Sequence, residues 1–262
     1  MTRGAGLCML RAVPHTLSTL LCSLLVAAPF TGCSGGTETG NPSFQSELSY
    51  TAYSSAPRAV GVRSSAAELT VTHAWIDLDA VALVRSGTCA TSSPDAVIVP
   101  ALGIGDHAAG DHNLTRFELT PGAFCELDLP FVRAPRGALT GNVPAELAEH
   151  SVMLAGSLAD GTTFSLLSSA SPVVHLVAET GSFAINQGQA QTLITFDVAT
   201  WLDGLDWDGA TRRDGAIFIS DTENAQVLAQ FEARLASGVA LYRDADGDGK
   251  LDTVPERLAH GE

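Results

Sequence analysis

From residue 68 onward the chain repeats one texture. Apolar-rich runs of roughly 4 to 8 residues recur about every ten residues, divided by Gly, Pro, Asp and Ser. A parallel α/β sheet would need helices of roughly 10 to 15 residues between its strands, and most gaps here are too short. The spacing therefore predicts short strands joined by turns, packed as two sheets over one core.

The individual runs support an antiparallel β-sandwich of the immunoglobulin or transthyretin-like kind, with a short C-terminal helix. Residues 68–73 alternate, with Leu69 and Val71 on one face, and 75–84, 96–99 and 115–119 follow. The Thr120-Pro121-Gly122 turn is expected to join 115–119 to the run 124–131 as a hairpin. Further strands are expected over 151–158, 162–167, 173–178, 181–185, 192–198 and 216–219. Asn224 is placed to cap a helix over 225–236, with Val227, Leu228, Phe231 and Leu235 on one stripe. A shorter helix is expected around Ala199, Trp201 and Leu202, and a turn over 144–149.

The N-terminus reads as an address. Arg3 and Arg11 precede an apolar stretch over 16–30, shorter than the roughly 20 residues that span a bilayer. Gly32 and Thr31 are small and stand directly before Cys33, the layout of a bacterial lipoprotein signal cut before a cysteine that is then acylated. Phe30 occupies a position where such signals usually carry Leu; the competing reading is an ordinary secretory signal cut elsewhere in this region. Ser34, not Asp, follows Cys33, so the expected destination is the outer membrane, with the body on its periplasmic or outer side. The expected organisation is a signal over 1–32, a flexible tether over 33–65 rich in Ser, Gly and Ala, and a sandwich domain over 66–262.

Removing residues 1–32 leaves 262 − 32 = 230 residues and takes away Arg3 and Arg11, so the net charge moves from −15 to −17. Such acidity excludes nucleic acid as a partner and disfavours bare anionic lipid surfaces. It makes divalent cations natural company. Of the five cysteines, Cys8 and Cys22 leave with the signal and Cys33 is consumed by lipid. Cys89 and Cys125 remain in an oxidising compartment, and a disulfide between them is expected. Cys125 alternates with Leu127, Leu129 and Phe131, which predicts an inward-facing sulfur.

The sharpest motif is Asp244-Ala245-Asp246-Gly247-Asp248-Gly249-Lys250-Leu251-Asp252, which matches the first nine positions of an EF-hand calcium loop. Asp244, Asp246 and Asp248 would supply carboxylate oxygens, Gly249 the sharp turn, Lys250 its backbone carbonyl, and Asp252 a direct or water-mediated contact. Leu251 would anchor the loop in the core. Clustered carboxylates repel one another unless a cation neutralises them, and Ca²⁺ takes hard oxygen ligands. Pro255 stands where the bidentate Glu of an EF-hand belongs, and Glu256 is one step late. Either Glu256 reaches in or the site is more open; the bland alternative is a solvated acidic turn.

Other clusters are weaker. Asp203, Asp206 and Asp208 beside Trp201 and Trp207 would suit a cation or the face of a sugar, against the simpler reading of an acidic turn over two core-facing indoles. Asp106-His107 and Asp111-His112 sit in a Gly-rich loop without further recognisable ligands. His73 and His175 lie in strands and read as half-buried, satisfied histidines. Beyond the expected cleavage site before Cys33 the chain contains no G-x-S-x-G, H-E-x-x-H, P-loop or G-x-G-x-x-G.

The Ser-Gly-Gly-Thr-Glu-Thr-Gly-Asn-Pro run after Cys33 resembles the tether of a family of uncharacterised Gram-negative outer-membrane lipoproteins. The Trp75-Ile76-Asp77-Leu78 and Phe124-Cys125 strands, Asp160-Gly161-Thr162-Thr163-Phe164, Phe196-Asp197-Val198-Ala199-Thr200-Trp201-Leu202 and the Leu241-Tyr242-Arg243-Asp244 entry to the Asp-rich loop are similar as well. The resemblance implies a β-sandwich lipoprotein and carries over no catalytic residue. The expectation is a non-enzymatic, membrane-anchored protein with a structural Ca²⁺ loop and a protein or glycan partner. A carbohydrate- or peptide-binding module using Trp201 and Trp207 is the second reading, and a hydrolase of unfamiliar type the third.

Overall fold

The computed structural model describes residues 42–53, 62–63, 68–108, 113–137 and 139–262. The signal, Cys33 and the Asp111-His112 pair lie outside the described residues. Two sheets enclose one hydrophobic core, the arrangement expected from the strand spacing.

The larger sheet starts at one edge with β5 (Ala96–Val99), β4 (Val81–Arg85), β8 (Gly122–Pro130) and β11 (Val173–Ala178). It continues through β17 (Arg257–Gly261), β16 (Val239–Arg243) and β13 (Gln191–Asp197) to β1 (Phe44–Tyr53) and β7 (Asn113–Leu119). β12 (Phe183–Ile185) extends the β11 side of β8. The two ends of this path, β5 and β7, return towards each other, so the sheet is nearly a barrel. The smaller sheet runs β14 (Arg212–Arg213), β15 (Ala216–Ile219), β10 (Thr163–Ser168), β9 (Val152–Leu158), β3 (Glu68–Leu78) and β2 (Val62–Arg63), with β6 (Gly103–Asp106) also on β3. Most neighbours are antiparallel, but β1–β13 and β10–β15 are parallel.

β1 corrects the expected tether. Residues 44–53 form an interior strand, hydrogen-bonded to β13 on one side and β7 on the other, with Leu48 and Tyr50 in the core. Its inward row is Phe44, Ser46, Leu48 and Tyr50, so a serine interrupts the apolar alternation. Ser46 is tolerated there because its hydroxyl donates to the Ala190 carbonyl at 2.6 Å.

The same strand explains why the expected hairpin of 115–119 with 124–131 does not form. β7 takes β1 as its partner, while both sides of β8 are occupied by β4 and by β11 with β12. The residues around Pro121 carry the chain from a sheet edge into its interior, where β7 has no free ladder to join.

Two bulges account for further departures from strict alternation. The expected strand 75–84 is broken after Leu78: its first part joins 68–73 in one strand, β3, and its last part is β4 of the other sheet. The register of β3 slips between Val71 and His73, so Leu69 and Val71 share the core with Ala74, Ile76 and Leu78. Gly156 lies opposite Val71, and a Cβ there would stand 1.9 Å from the Thr70 carbonyl oxygen. Arg85 of β4 pairs with Phe124 while Val84 pairs with Glu126, leaving Cys125 between the two registers. Phe124 therefore joins the core cluster; Cys125 is buried but stands apart from that cluster, bonded to exposed Cys89 with their Cα atoms 6.3 Å apart.

The helices are short. α1 (Val198–Leu202) begins at Asp197, whose carboxylate accepts hydrogen bonds from the Ala199 and Thr200 amides. α2 (Ala225–Glu232) buries Val227, Leu228 and Phe231 and stops four residues before the expected end. Asn224 precedes α2 in the left-handed region at φ 55° without capping it. Its side chain instead accepts from the Thr211 amide at 2.7 Å and donates to the Phe218 carbonyl at 2.6 Å, tying α2 to the β14–β15 region.

Candidate metal centre

β16 and β17 are adjacent antiparallel strands, so the Asp-rich motif is the loop of a hairpin, not a link between helices as in an EF-hand. Asp244 stands at its base, 3% exposed, and its amide donates to the Gln191 carbonyl of β13 at 3.2 Å. One Asp244 carboxylate oxygen accepts from the Gly247 amide at 2.8 Å and the other from the Gly249 amide at 3.0 Å. Asp246 accepts from the Asp248 amide at 3.2 Å, and Asp248 from the Lys250 amide at 2.8 Å. Each aspartate thus folds the chain just ahead of it.

Both glycines are needed for that path. Gly247 and Gly249 sit at φ 73° and 70°, in the left-handed region that side chains with a Cβ disfavour. A Cβ on Gly247 would also strike the Gln191 side chain at 2.4 Å. The resulting curl brings one carboxylate oxygen from each of Asp244, Asp246 and Asp248 within 4.8 Å of one another.

The electrostatics follow from depth. Burial pushes the Asp244 carboxyl above its usual range, opposed by the Gly249 and Gly247 amides and reinforced by the charges of Asp246 and Asp248. The Lys250 amide holds Asp248 below its usual range, helped by the Lys250 ammonium 3.5 Å away. The base of the loop therefore carries a carboxylate that benefits from an added positive charge, while its rim is open to water.

Other expected ligands sit differently. Asp252 reaches back to the start of the loop, accepting from the Ala245 amide at 3.4 Å, and is outside the three-carboxylate group. Glu256 does not turn inwards: it accepts from Arg243 Nε at 2.8 Å. The hairpin explains this, because its ladder pairs the residues flanking the loop, with the Arg243 amide donating to the Glu256 carbonyl at 2.9 Å. Lys250 contributes its amide to Asp248, and Leu251 packs on a small satellite cluster of Leu193, Ala240 and Tyr242, not on the main core.

Trp201 and Trp207 offer no aromatic platform: both indoles are core residues, as the simpler reading of the sequence has them. Trp201 is 0% exposed, donates from Nε1 to the Leu235 carbonyl at 3.0 Å and packs against Phe196 and Phe231. Trp207 is 4% exposed and stacks at a tilt on Phe164 with centroids 5.1 Å apart. Asp206 is occupied locally, accepting from the Gly209 amide. A cavity of about 480 Å³ lies near the base of the acidic loop, but its charged lining is matched: Arg243 with Glu256, and Arg257 with Glu179.

The histidines divide by depth. His107 is buried between Tyr50 and Phe196, and burial pushes its imidazole down to about 4. His73 is exposed, not half-buried, and lies 2.6 Å from buried Asp106, whose other oxygen accepts from the Ala74 and Ala108 amides. His175 is exposed, not half-buried, and faces Glu126 and Asp128 across the β8–β11 ladder. Alternation already places Glu126 and Asp128 opposite the core row; their meeting with His175 depends on strand register, which local sequence does not encode.

No family model, curated protein or solved structure matches the chain.

Proposed function

We propose that the chain is a lipid-anchored outer-membrane protein with a non-enzymatic β-sandwich body, whose C-terminal hairpin loop takes up Ca²⁺ as a structural ion. The convergence of the Asp244, Asp246 and Asp248 carboxylates at the hairpin tip carries the metal reading. Their donor set is entirely hard oxygen, which fits Ca²⁺ and offers no nitrogen or sulfur to a softer metal. Asp244, Asp246 and Asp248 would hold the ion, with water completing its shell on the exposed side. The ion would supply charge neutralisation to three mutually repelling carboxylates, one of them buried, and so fasten β16 to β17.

The anchor reading rests on the Cys33 layout. The Cys89–Cys125 bond supports it, since disulfides persist outside the reducing cytoplasm. Because β1 begins at Phe44, a tether starting at Cys33 would be much shorter than the segment 33–65. Fully extended, residues 33–43 would reach no more than roughly 35–40 Å, so the body would stay close to its membrane.

Calorimetric titration of the mature chain with Ca²⁺, beside Asp248→Ala, tests the metal half. Saturable binding that the variant loses is the expected result, and no heat at millimolar Ca²⁺ would end the reading. Fatty-acid labelling tests the anchor: Cys33→Ser should neither label nor fractionate with membranes.

A further inference from the structure

The outer face of the larger sheet carries a second group of ligand-type side chains with a different chemistry. Glu126 and Asp128 alternate with core residues Leu127 and Leu129 on β8, and His175 lies between core residues Val174 and Leu176 on β11. His175 is directly opposite Asp128 in the antiparallel register, and Glu126 is opposite Val177. Both strands are interior, paired on each side, so the backbones beneath these three side chains are fixed by ladders.

We propose that Glu126, Asp128 and His175 form a binding site for a divalent first-row transition metal of the Zn²⁺ type, separate from the acidic loop. His175 Nδ1 lies 2.7 Å from Glu126 Oε1 and 2.7 Å from Asp128 Oδ1. A ring nitrogen carries at most one hydrogen, so it can give only one of these two oxygens a full hydrogen bond. The second short approach has no proton of its own, and a metal ion taking one lone pair from each group would satisfy all three. Their ligand atoms lie within 4.8 Å of one another. Among the described residues, neither carboxylate has an ion pair with any Arg or Lys.

The donor types set the metal class. One imidazole nitrogen with two carboxylate oxygens is a mixed set that suits Zn²⁺ and its neighbours, whereas the all-oxygen loop suits Ca²⁺. The imidazole is 56% exposed, so water can fill the remaining coordination positions. Three protein ligands with an open side leave a fourth position for water.

Titration of the mature chain with Zn²⁺ near neutral pH tests this. A single equivalent should bind to the unaltered chain, be lost in His175→Ala and be weakened in Asp128→Asn. His260→Ala, removing an imidazole paired with Glu179 one strand away, should keep it, as should Asp248→Ala in the acidic loop. All four side chains are at least partly exposed, and an unchanged melting temperature verifies that each variant is folded. The proposal is overturned if the unaltered chain binds no Zn²⁺, if His175→Ala binds it undiminished, or if Asp248→Ala is the variant that loses it.

Discussion

Arg243 and Glu256 clasp the acidic loop from outside, Nε to Oε2 at 2.8 Å, each at the foot of one hairpin strand. The guanidinium is nearly buried and also donates to the carbonyls of Gln189 at 3.4 Å and Ala184 at 3.3 Å. Glu256 is thus committed to Arg243 and is not a member of the Asp244, Asp246 and Asp248 group.

Glu256→Gln should therefore leave Ca²⁺ affinity unchanged. The carboxylate is mostly exposed, so losing the pair should cost no more than about 1 kcal/mol in urea unfolding. A loss of Ca²⁺ binding in this variant would show that Glu256 swings inwards as a ligand.

The Cys89–Cys125 bond closes a loop with a sequence separation of 36. In the chain-entropy picture such a closure contributes about 3–4 kcal/mol. Cys89→Ser with Cys125→Ser should lower the urea midpoint accordingly without altering the far-ultraviolet circular dichroism. Non-reduced peptide mapping should recover the linked pair, and two freely alkylatable thiols would refute the bond.

Asp77 gives a pH dependence of fixed sign. It is buried on β3, and that burial, with the charge of Asp79 nearby, raises its pKa from 3.8 to about 6. The folded chain then holds this proton more tightly than the unfolded chain. Its stabilising contribution is complete below about pH 4 and is lost as pH rises through about 6. Asp77→Asn should be more stable than the unaltered chain at pH 7.5, by up to about 3 kcal/mol, and the advantage should vanish near pH 4. Equal unfolding free energies at both pH values would rule out a perturbed Asp77.

The sandwich was legible because its strands advertise themselves: β9, β10, β11 and β13 each carry an apolar row between turn residues. β1 was not, since Ser46 occupies one inward position and its partner carbonyl lies 144 residues away. The strand at β7 is where the sequence places it, but without β1 it is paired with the next run in sequence instead of its true partner. The Asp244 loop was readable in type, as its turns are made locally by Asp and Gly. That Glu256 belongs to Arg243 depends on the hairpin register, and that His175 meets Asp128 depends on the β8–β11 register, both long-range facts. The burial of Trp201 and Trp207, by contrast, agrees with the simpler sequence reading of two core-facing indoles.

The calcium reading makes its strongest demand on thermal stability. The main core is formed without the loop, whose nearest apolar contact is Leu251 on a satellite cluster, so the chain should be folded without metal. Ligand that binds only the folded state stabilises by RT ln(1 + [L]/Kd), about 2.7 kcal/mol at roughly 100 Kd. With Glu256 held by Arg243, the loop lacks a bidentate twelfth-position ligand, and Kd should fall in the weak range of about 10⁻⁴ to 10⁻³ M. Millimolar Ca²⁺ should then raise Tm by several degrees. Asp248→Ala should abolish that rise and leave the metal-free Tm nearly unaltered, because its side chain is exposed. Asp244→Ala should abolish it too, but with a lower metal-free Tm, since the Gly247 and Gly249 amides lose their acceptor. A Tm in the unaltered chain that ignores millimolar Ca²⁺ would reduce the loop to an acidic turn held by its own backbone.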